Sequence, residues 1–261
     1  LNGLQHQATF QNEVYRGHLA QLCEAAKFDM RSAHMIRASG LNGAANGKKG
    51  ILSVWINYNV GSIQTIIYGN EGANETFRCE IAQTGNWLIA GQSSGSAIQT
   101  LGLTSVDSAV VPGSWNHLLA AWDLDRAFDK NVMYINDVKQ SLLSQTKLTF
   151  PIDYAPDAWG VGVESGFNVN YLNGSLAELY FNINEYMDIS IPSNRRRFIS
   201  PTLKPVDLGS DGSLPTGTAP IVYLKLPLNA TNANSFGTNY GTGGNFTVTG
   251  SLGIAATSPS D

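Results

Sequence analysis

The feature that most constrains this chain is how short its ordered runs are. Apolar and polar residues alternate over stretches of roughly four to eight residues, and each stretch stops at glycine, proline, asparagine or aspartate. Residues 114–139, SWNHLLAAWDLDRAFDKNVMYINDVK, show this best. Residues 115–122 form an apolar and aromatic run, and residues 131–136 alternate with period two. A polar segment carrying Asp123, Asp125 and Asp129 separates them. Asn136-Asp137 then predicts a tight turn, because both residues tolerate positive φ.

The same reading along the chain predicts about a dozen strands and very little helix. Residues 27–37 read as one strand entering the main domain, and residues 38–50 as a Gly/Asn loop. In residues 51–58, Leu52, Val54, Ile56 and Tyr58 share one face. Trp55 lies on the other, as part of a second buried face or as an exposed platform. Further strands are predicted at 62–68, 76–82, 86–91, 97–103 and 157–163, where small residues permit close packing. In the strand at 176–182, strict alternation puts Leu176, Glu178, Tyr180 and Asn182 on one side, and Ala177, Leu179 and Phe181 on the other. Residues 187–200 read as a loop and a short helix with Ser193 as N-cap. Residues 201–220, rich in Gly, Pro, Asp and Thr, read as a surface excursion, after which strands return at 221–226 and 245–252. Such a tally predicts an all-β, two-sheet antiparallel sandwich over residues 27–261. Residues 1–26 form an N-terminal arm or connector, helical over 15–26, with Cys23 in that helical turn.

Charge narrows the function. Charged residues are 14% of the 261, against a usual quarter or so, and the formal net charge is −4. No basic stripe for phosphates exists, which argues against nucleic acid. The one basic cluster, Arg195-Arg196-Arg197, reads as a solvated turn paired with neighbouring carboxylates. No apolar run is long enough to insert in a membrane. The start, LNGLQHQATF, lacks the basic and apolar parts of a secretory signal and an initiator Met, so a processed or excised chain is expected. Cys23 and Cys79 have no metal-ligand spacing and read as two buried thiols.

Several pieces then occur in a telling order: LSVWINY, WNHLLAAWD, VMYINDV, AWGVGV and LNGSLAELYF. Over residues 27–200 this resembles the laminin-G-like, concanavalin A-like jelly-roll family. The pieces NRRRFIS, KPVDLGSDGSLPTGTAPIVYLKL and FGTNYGTGGNFTVTGSL resemble the C-terminal half of laminin-G-like proteins of tailed phages and prophages. That resemblance implies a virion structural protein: a capsid decoration, head fibre or tail-associated subunit. It implies synthesis in the host cytoplasm, a place on the particle exterior, and contacts with other virion proteins and copies of itself. The alternative reading is a carbohydrate-binding module for host attachment. A polysaccharide-degrading enzyme ranks third, because the paired carboxylates of such enzymes on one strand face are missing: ELYFNINE has no Asp between its glutamates, and Glu164 stands alone.

Candidate site residues follow from residue chemistry. Trp87, Tyr171 and Tyr240 sit beside Asn and Gly and could stack on sugar rings. Trp55, Trp115, Trp122 and Trp159 read as core. Asp123, Asp125, Asp129 and Asn131 supply clustered oxygens suited to Ca²⁺, although Arg126 and Lys130 interrupt them and favour a polar hairpin loop with local ion pairs. No other cofactor is expected. His117 reads as a structural histidine, and no nucleophile elbow precedes a helix.

Overall fold

The computed structural model describes residues 21–96, 98–106 and 108–261. They form two packed antiparallel sheets of eight strands each, a jelly-roll sandwich. Sheet I contains β1 (Ala26–Asp29), β3 (Lys49–Tyr58), β8 (Asn116–Asp123), β9 (Val132–Ile135), β10 (Val138–Lys139), β13 (Asn173–Ile183), β14 (Val222–Leu224) and β16 (Gly253–Ile254). Its order is β10-β9-β8-β3-β13-β1-β16, with β14 also paired to β13. Sheet II contains β2 (Ala33–Arg37), β4 (Gln64–Glu71), β5 (Asn74–Ile81), β6 (Trp87–Gln92), β7 (Gln99–Ser105), β11 (Leu142–Lys147), β12 (Ala158–Val161) and β15 (Thr247–Gly250). Its order is β11-β7-β6-β5-β4-β12-β2-β15.

The run 27–37 is two strands rather than one. A 3₁₀ turn at Met30–Ser32, with Met30 at φ 44°, carries the chain from sheet I to sheet II. Near the C-terminus the chain crosses back, because β15 pairs with β2 and β16 with β1. Both crossings lie on one side of the sandwich and tie the two sheets together there. The hairpin joining β9 and β10 turns through Asn136 (φ 49°) and Asp137 (φ 65°), as the sequence predicts.

The space between the sheets is filled by aromatic rings. Phe77 stacks on Phe181 with centroids 4.9 Å apart, and Trp122, Tyr154 and Trp159 surround the pair. Two of the polar tips find partners: Trp122 Nε1 donates to Tyr154 Oη at 2.7 Å, and that hydroxyl donates to the Lys49 carbonyl at 3.0 Å. The small residues of 157–163 are required. A Cβ on Gly160 would lie 2.5 Å from the Val163 carbonyl oxygen, and Gly162 sits at φ 74° against the Phe28 ring.

Strict alternation fails on β13. Trp55 pairs with Ala177 and Ser53 with Tyr180, so β13 carries one residue too many: a bulge at Glu178, whose φ is 50°. Leu176 and Leu179 therefore both face the core, while Ala177 and Tyr180 both face outward. Trp55 also faces outward, buried against Ala177 and Cys23. The short helix α1 spans Pro192–Arg195; Pro192 occupies its first turn and Ile191, not Ser193, is the N-cap. Of the arm predicted as helical, residues 1–20 lie outside the described residues; residues 21–25 form no helix, and Glu24 makes an antiparallel bridge with Leu226.

Residues 201–220 do more than loop over the surface. Val206 and Leu208 are buried with Ile189 and Phe198 against Tyr180, Tyr223, Leu119 and Tyr134 on the outer face of sheet I. Arg195 and Arg196 both pair with Asp137, Arg195 at 2.5 Å. The Arg195 guanidinium also lies 4.4 Å from the Tyr134 ring centroid. The pairing with a carboxylate matches the sequence reading, but the two arginines clamp the cover onto the sheet instead of standing in solvent.

Candidate functional site

Most of the expected site residues are placed elsewhere. Trp87 is fully buried in the inter-sheet core, donating its indole N–H to Cys79 Sγ at 3.2 Å, so its ring has no free face for a sugar. Tyr171 packs edge-on against His34, centroids 5.4 Å apart. Tyr240 packs on the covered side of sheet I against Tyr223, with the Lys225 ammonium 5.2 Å from its ring. The three do not converge.

The aspartate loop is turned inward on itself. Asp123 accepts from the Asp125 amide at 3.1 Å and from Arg126 Nε at 2.9 Å, and Lys49 approaches its second oxygen at 3.9 Å. Asn131 uses its side-chain oxygen on the Asp123 amide at 2.9 Å. Asp125 pairs with Lys48, and Asp129 is exposed. The side-chain oxygens of Asp123, Asp125 and Asn131 thus already serve as turn acceptors or ion-pair partners. Among the described residues, no group of three or more His, Cys, Asp or Glu is arranged to hold a metal ion.

His117 is buried, and its Nε2 lies 2.8 Å from Ser53 Oγ. Burial holds its pKa down to about 3, so it stays neutral across the physiological range. The pair sits under Trp55 on the outer face of sheet I, closed to substrate.

The site that emerges lies on sheet II, whose outer face carries no apolar cluster among the described residues. It is built on β5, NETFRCEI. Phe77, Cys79 and Ile81 point into the core, so Arg78 and Glu80 point out. Glu75 should fall on the inner side by simple alternation. A bulge corrects it: Gly69 pairs with Phe77 and Asn70 with Glu75, leaving Thr76 as the extra residue. Glu75, Arg78 and Glu80 therefore line up on one face. Arg78 Nη1 lies 3.5 Å from Glu75 and 3.8 Å from Glu80. Gln92 on β6 donates to Glu75 at 3.0 Å, and Tyr68 on β4 is the cross-strand neighbour of Arg78. Glu164, in the loop after β12 and bonded to Asn170 at 2.5 Å, adds its charge to the group.

Burial dominates the electrostatics here. It pushes the Glu80 pKa up to about 6 against the opposing pull of Arg78, and it raises Glu75 and Tyr68 as well. One oxygen of Glu80, whose side chain is 5% exposed, has no hydrogen-bond partner; nor do Arg78 Nε and Thr65 Oγ1, Thr65 being the cross-strand partner of Glu80.

This strip runs to the rim of the sandwich. Glu75 and Thr76 line a small hollow with Glu71, Asn74, Ser93 and Ser96. Ser93 and Ser96 also wall a larger cavity of about 350 Å³ with Asn46, Ser94, Ile98 and Phe150. Phe150 is 53% exposed there. Sequence reasoning missed Phe150, although an aromatic placed before Pro151 in a break between strands is a usable sign of an exposed ring. It missed the Glu75–Glu80 strip because the bulge disguises the spacing.

No protein-family model matches the chain, and no curated protein matches it. Solved structures do. A Bacteroides ovatus protein provisionally assigned as carbohydrate-binding superposes with a TM-score of 0.61 at 16% identity, over 91% of this chain and 60% of that one. This chain thus spans less than two thirds of that relative. Domains LG4-5 of mouse laminin alpha1 match at 0.44 and 13% identity, over 66% and 44% of the two chains. The CBM40 of a Ruminococcus gnavus IT-sialidase matches at 0.45 and 15%, over 67% and 95%. The first of these likenesses supports the jelly-roll sandwich as the fold.

Proposed function

We propose that this protein is a glycan-binding module whose ligand lies along the open face of sheet II and ends over Phe150. The observation that carries this is the rim cavity: an exposed aromatic ring beside three serines and an asparagine, continuous through Ser93 and Ser96 with the charged strip. A sugar ring offers an apolar face and a belt of hydroxyls, and this surface offers an apolar platform and a belt of donors and acceptors. The fold shared with the Bacteroides ovatus protein supports the reading.

Binding suits the strip better than hydrolysis. Glycoside cleavage needs one carboxyl group as acid and another as nucleophile or base, flanking the scissile bond. Here Arg78 stands between Glu75 and Glu80, within salt-bridge reach of both. The motifs of the C-terminal half supply one setting for such a module, attachment of a phage particle to its host envelope. Screening the full chain on a glycan array tests the proposal. The expected result is retention of a defined set of glycans by the native protein and its loss in Phe150→Ala; a blank array, or equal binding by Phe150→Ala, would sink it.

A further inference from the structure

The rim cavity offers more apolar surface than one sugar ring covers. Phe150 is 53% exposed and Ile98 is 45% exposed, and both wall the same space of about 350 Å³. A hexose has one apolar face, and stacking on Phe150 uses it. Ile98 is left for a second apolar group on the ligand. The other walls are Asn46, Ser93, Ser94, Ser96 and Pro151, so no charged side chain lines the cavity. An ion entering it would give up water without gaining a counter-charge. The walls are held in place. Gly47, next to Asn46, exchanges backbone bonds with Ile152 at 2.7 and 3.1 Å, and the Ser93 N–H donates to the Ile98 carbonyl at 3.0 Å.

Asn46 sets the chemistry of that second group. Its side-chain oxygen accepts from the amides of Tyr154 and Ala155, at 3.1 and 3.3 Å. Two N–H donors on one atom fix that atom as the oxygen and occupy both its lone pairs, so the side chain has only its Nδ2 hydrogens left to offer. Ser93 and Ser96 bond to each other at 2.6 Å and keep lone pairs for a further donor. The ligand group that answers this lining carries a carbonyl acceptor, a methyl and an N–H donor, and it is neutral: an acetamido group. A plain hydroxyl leaves Ile98 uncovered, a 6-deoxy methyl leaves Asn46 unanswered, and an ammonium has no acceptor. Resting on the glycan-binding reading above, we propose that the rim cavity selects neutral N-acetylhexosamines. The acetamido carbonyl takes the Asn46 Nδ2 donor, its methyl lies against Ile98, and the sugar ring stacks on Phe150.

An array of matched glycan pairs, identical except for acetamido or hydroxyl at position 2 of the terminal hexose, tests this with the full chain. The acetamido member is expected to bind at least about tenfold more tightly, a difference of about 1.4 kcal/mol. Asn46→Asp keeps an acceptor for the Tyr154 and Ala155 amides and replaces the donor by a second acceptor; Ile98→Ala removes the apolar contact alone. Each should cut the margin to about threefold or less while leaving the circular dichroism spectrum unchanged. Equal retention of the two members, a retained set made up of 6-deoxy or acidic glycans, or a margin that survives in Asn46→Asp would each overturn the assignment of acetamido selectivity. Those results leave glycan binding standing, whereas an absence of binding to any glycan on the array removes the broader reading itself.

Discussion

The two outer faces of this sandwich follow opposite rules. On sheet I, β8 reads NHLLAAWD and is buried throughout, because Leu118, Ala120 and Trp122 face the core while Leu119 and Ala121 face outward. A strand apolar on both sides must be covered on both sides, and residues 184–220 supply the second cover. On sheet II, β5 reads NETFRCEI, with Phe77, Cys79 and Ile81 inward and charged side chains outward. Nothing apolar is left over to recruit a cover. The same fold thus spends one outer face on stability and leaves the other chemically armed. Two unusual glutamates make the contrast sharper. Each lies on a strand with a β-bulge, Glu178 on sheet I and Glu80 on sheet II, and both are almost fully buried, yet Glu178 accepts from Tyr223 beneath the cover while Glu80 lies beside the partly exposed Arg78.

Removing the cover should give the largest effect. Tyr180 and Phe198 meet edge to face, centroids 5.3 Å apart, where the cover sits on sheet I. Tyr180→Ala and Phe198→Ala should each cost about 3–5 kcal/mol, the range for deleting a buried aromatic ring. The pair should lose less than the sum, because both delete the same contact. Arg78→Ala, on the other face, should change stability by less than about 1 kcal/mol, since its ion pairs are partly exposed. Urea unfolding of the four variants checks this. Comparable losses on the two faces would end the distinction between a structural and a functional side.

Much of the framework is legible in the sequence. The short alternating runs, the Asn136-Asp137 turn and the sandwich follow from periodicity and turn chemistry, which are local properties. The bulges at Thr76 and Glu178 were not legible, because one extra residue leaves no mark on composition but flips the face of everything beyond it. Glu75 was lost to the site in that way, and Tyr180 shared a face with Leu176 only on paper. Trp87 misled for a related reason: beside Asn and Gly at the start of the predicted strand 86–91 it reads as a ring at an exposed strand end, but it points into the core. The buried role of Val206 and Leu208 was hidden in a segment rich in Gly, Pro and Asp, since which surface a loop covers is decided by tertiary packing.

Titration separates the faces next. Burial raises the Glu178 carboxyl to about 7, opposed by the Tyr223 hydroxyl that donates to it at 2.5 Å and by Lys225. The unfolded chain gives up this proton near the ordinary 4.5, so native stability falls as pH rises from 4.5 to 7, and the whole penalty is present above 7. At about 1.4 kcal/mol per unit the penalty is roughly 3 kcal/mol. His117 has the opposite sign. Held near 3, it cannot take up the proton that the unfolded chain accepts below 6.5, so stability falls as pH drops from 6.5 toward 3. Between 4.5 and 6.5 the two oppose each other. Glu178→Gln keeps an acceptor for Tyr223 and removes only the carboxyl titration. We expect it to gain about 3 kcal/mol at pH 8 and to lose stability progressively once the pH falls below 6.5. Denaturant midpoints across pH 4–8 give the comparison, and a variant curve parallel to the native one would deny Glu178 this role.

Glu80→Gln is the smallest of the three changes and the one most specific to the open face. Burial sets the Glu80 carboxyl at about 6, with Arg78 pulling it down and Glu164 and Glu75 pushing it up. The sign matches Glu178: stability falls as pH rises from 4.5 to 6, and the penalty is constant above that. Its size should be less, about 1 kcal/mol, because the neighbouring guanidinium is about a third exposed and solvent screens the field it shares. Glu80→Gln should therefore gain about 1 kcal/mol at pH 8 and nothing below pH 4.5, while the Glu178→Gln gain at pH 8 stays about threefold larger. Should the two variants gain equally, the strip on sheet II would be as sealed as the covered face of sheet I, and its claim to be a ligand surface would fail with it.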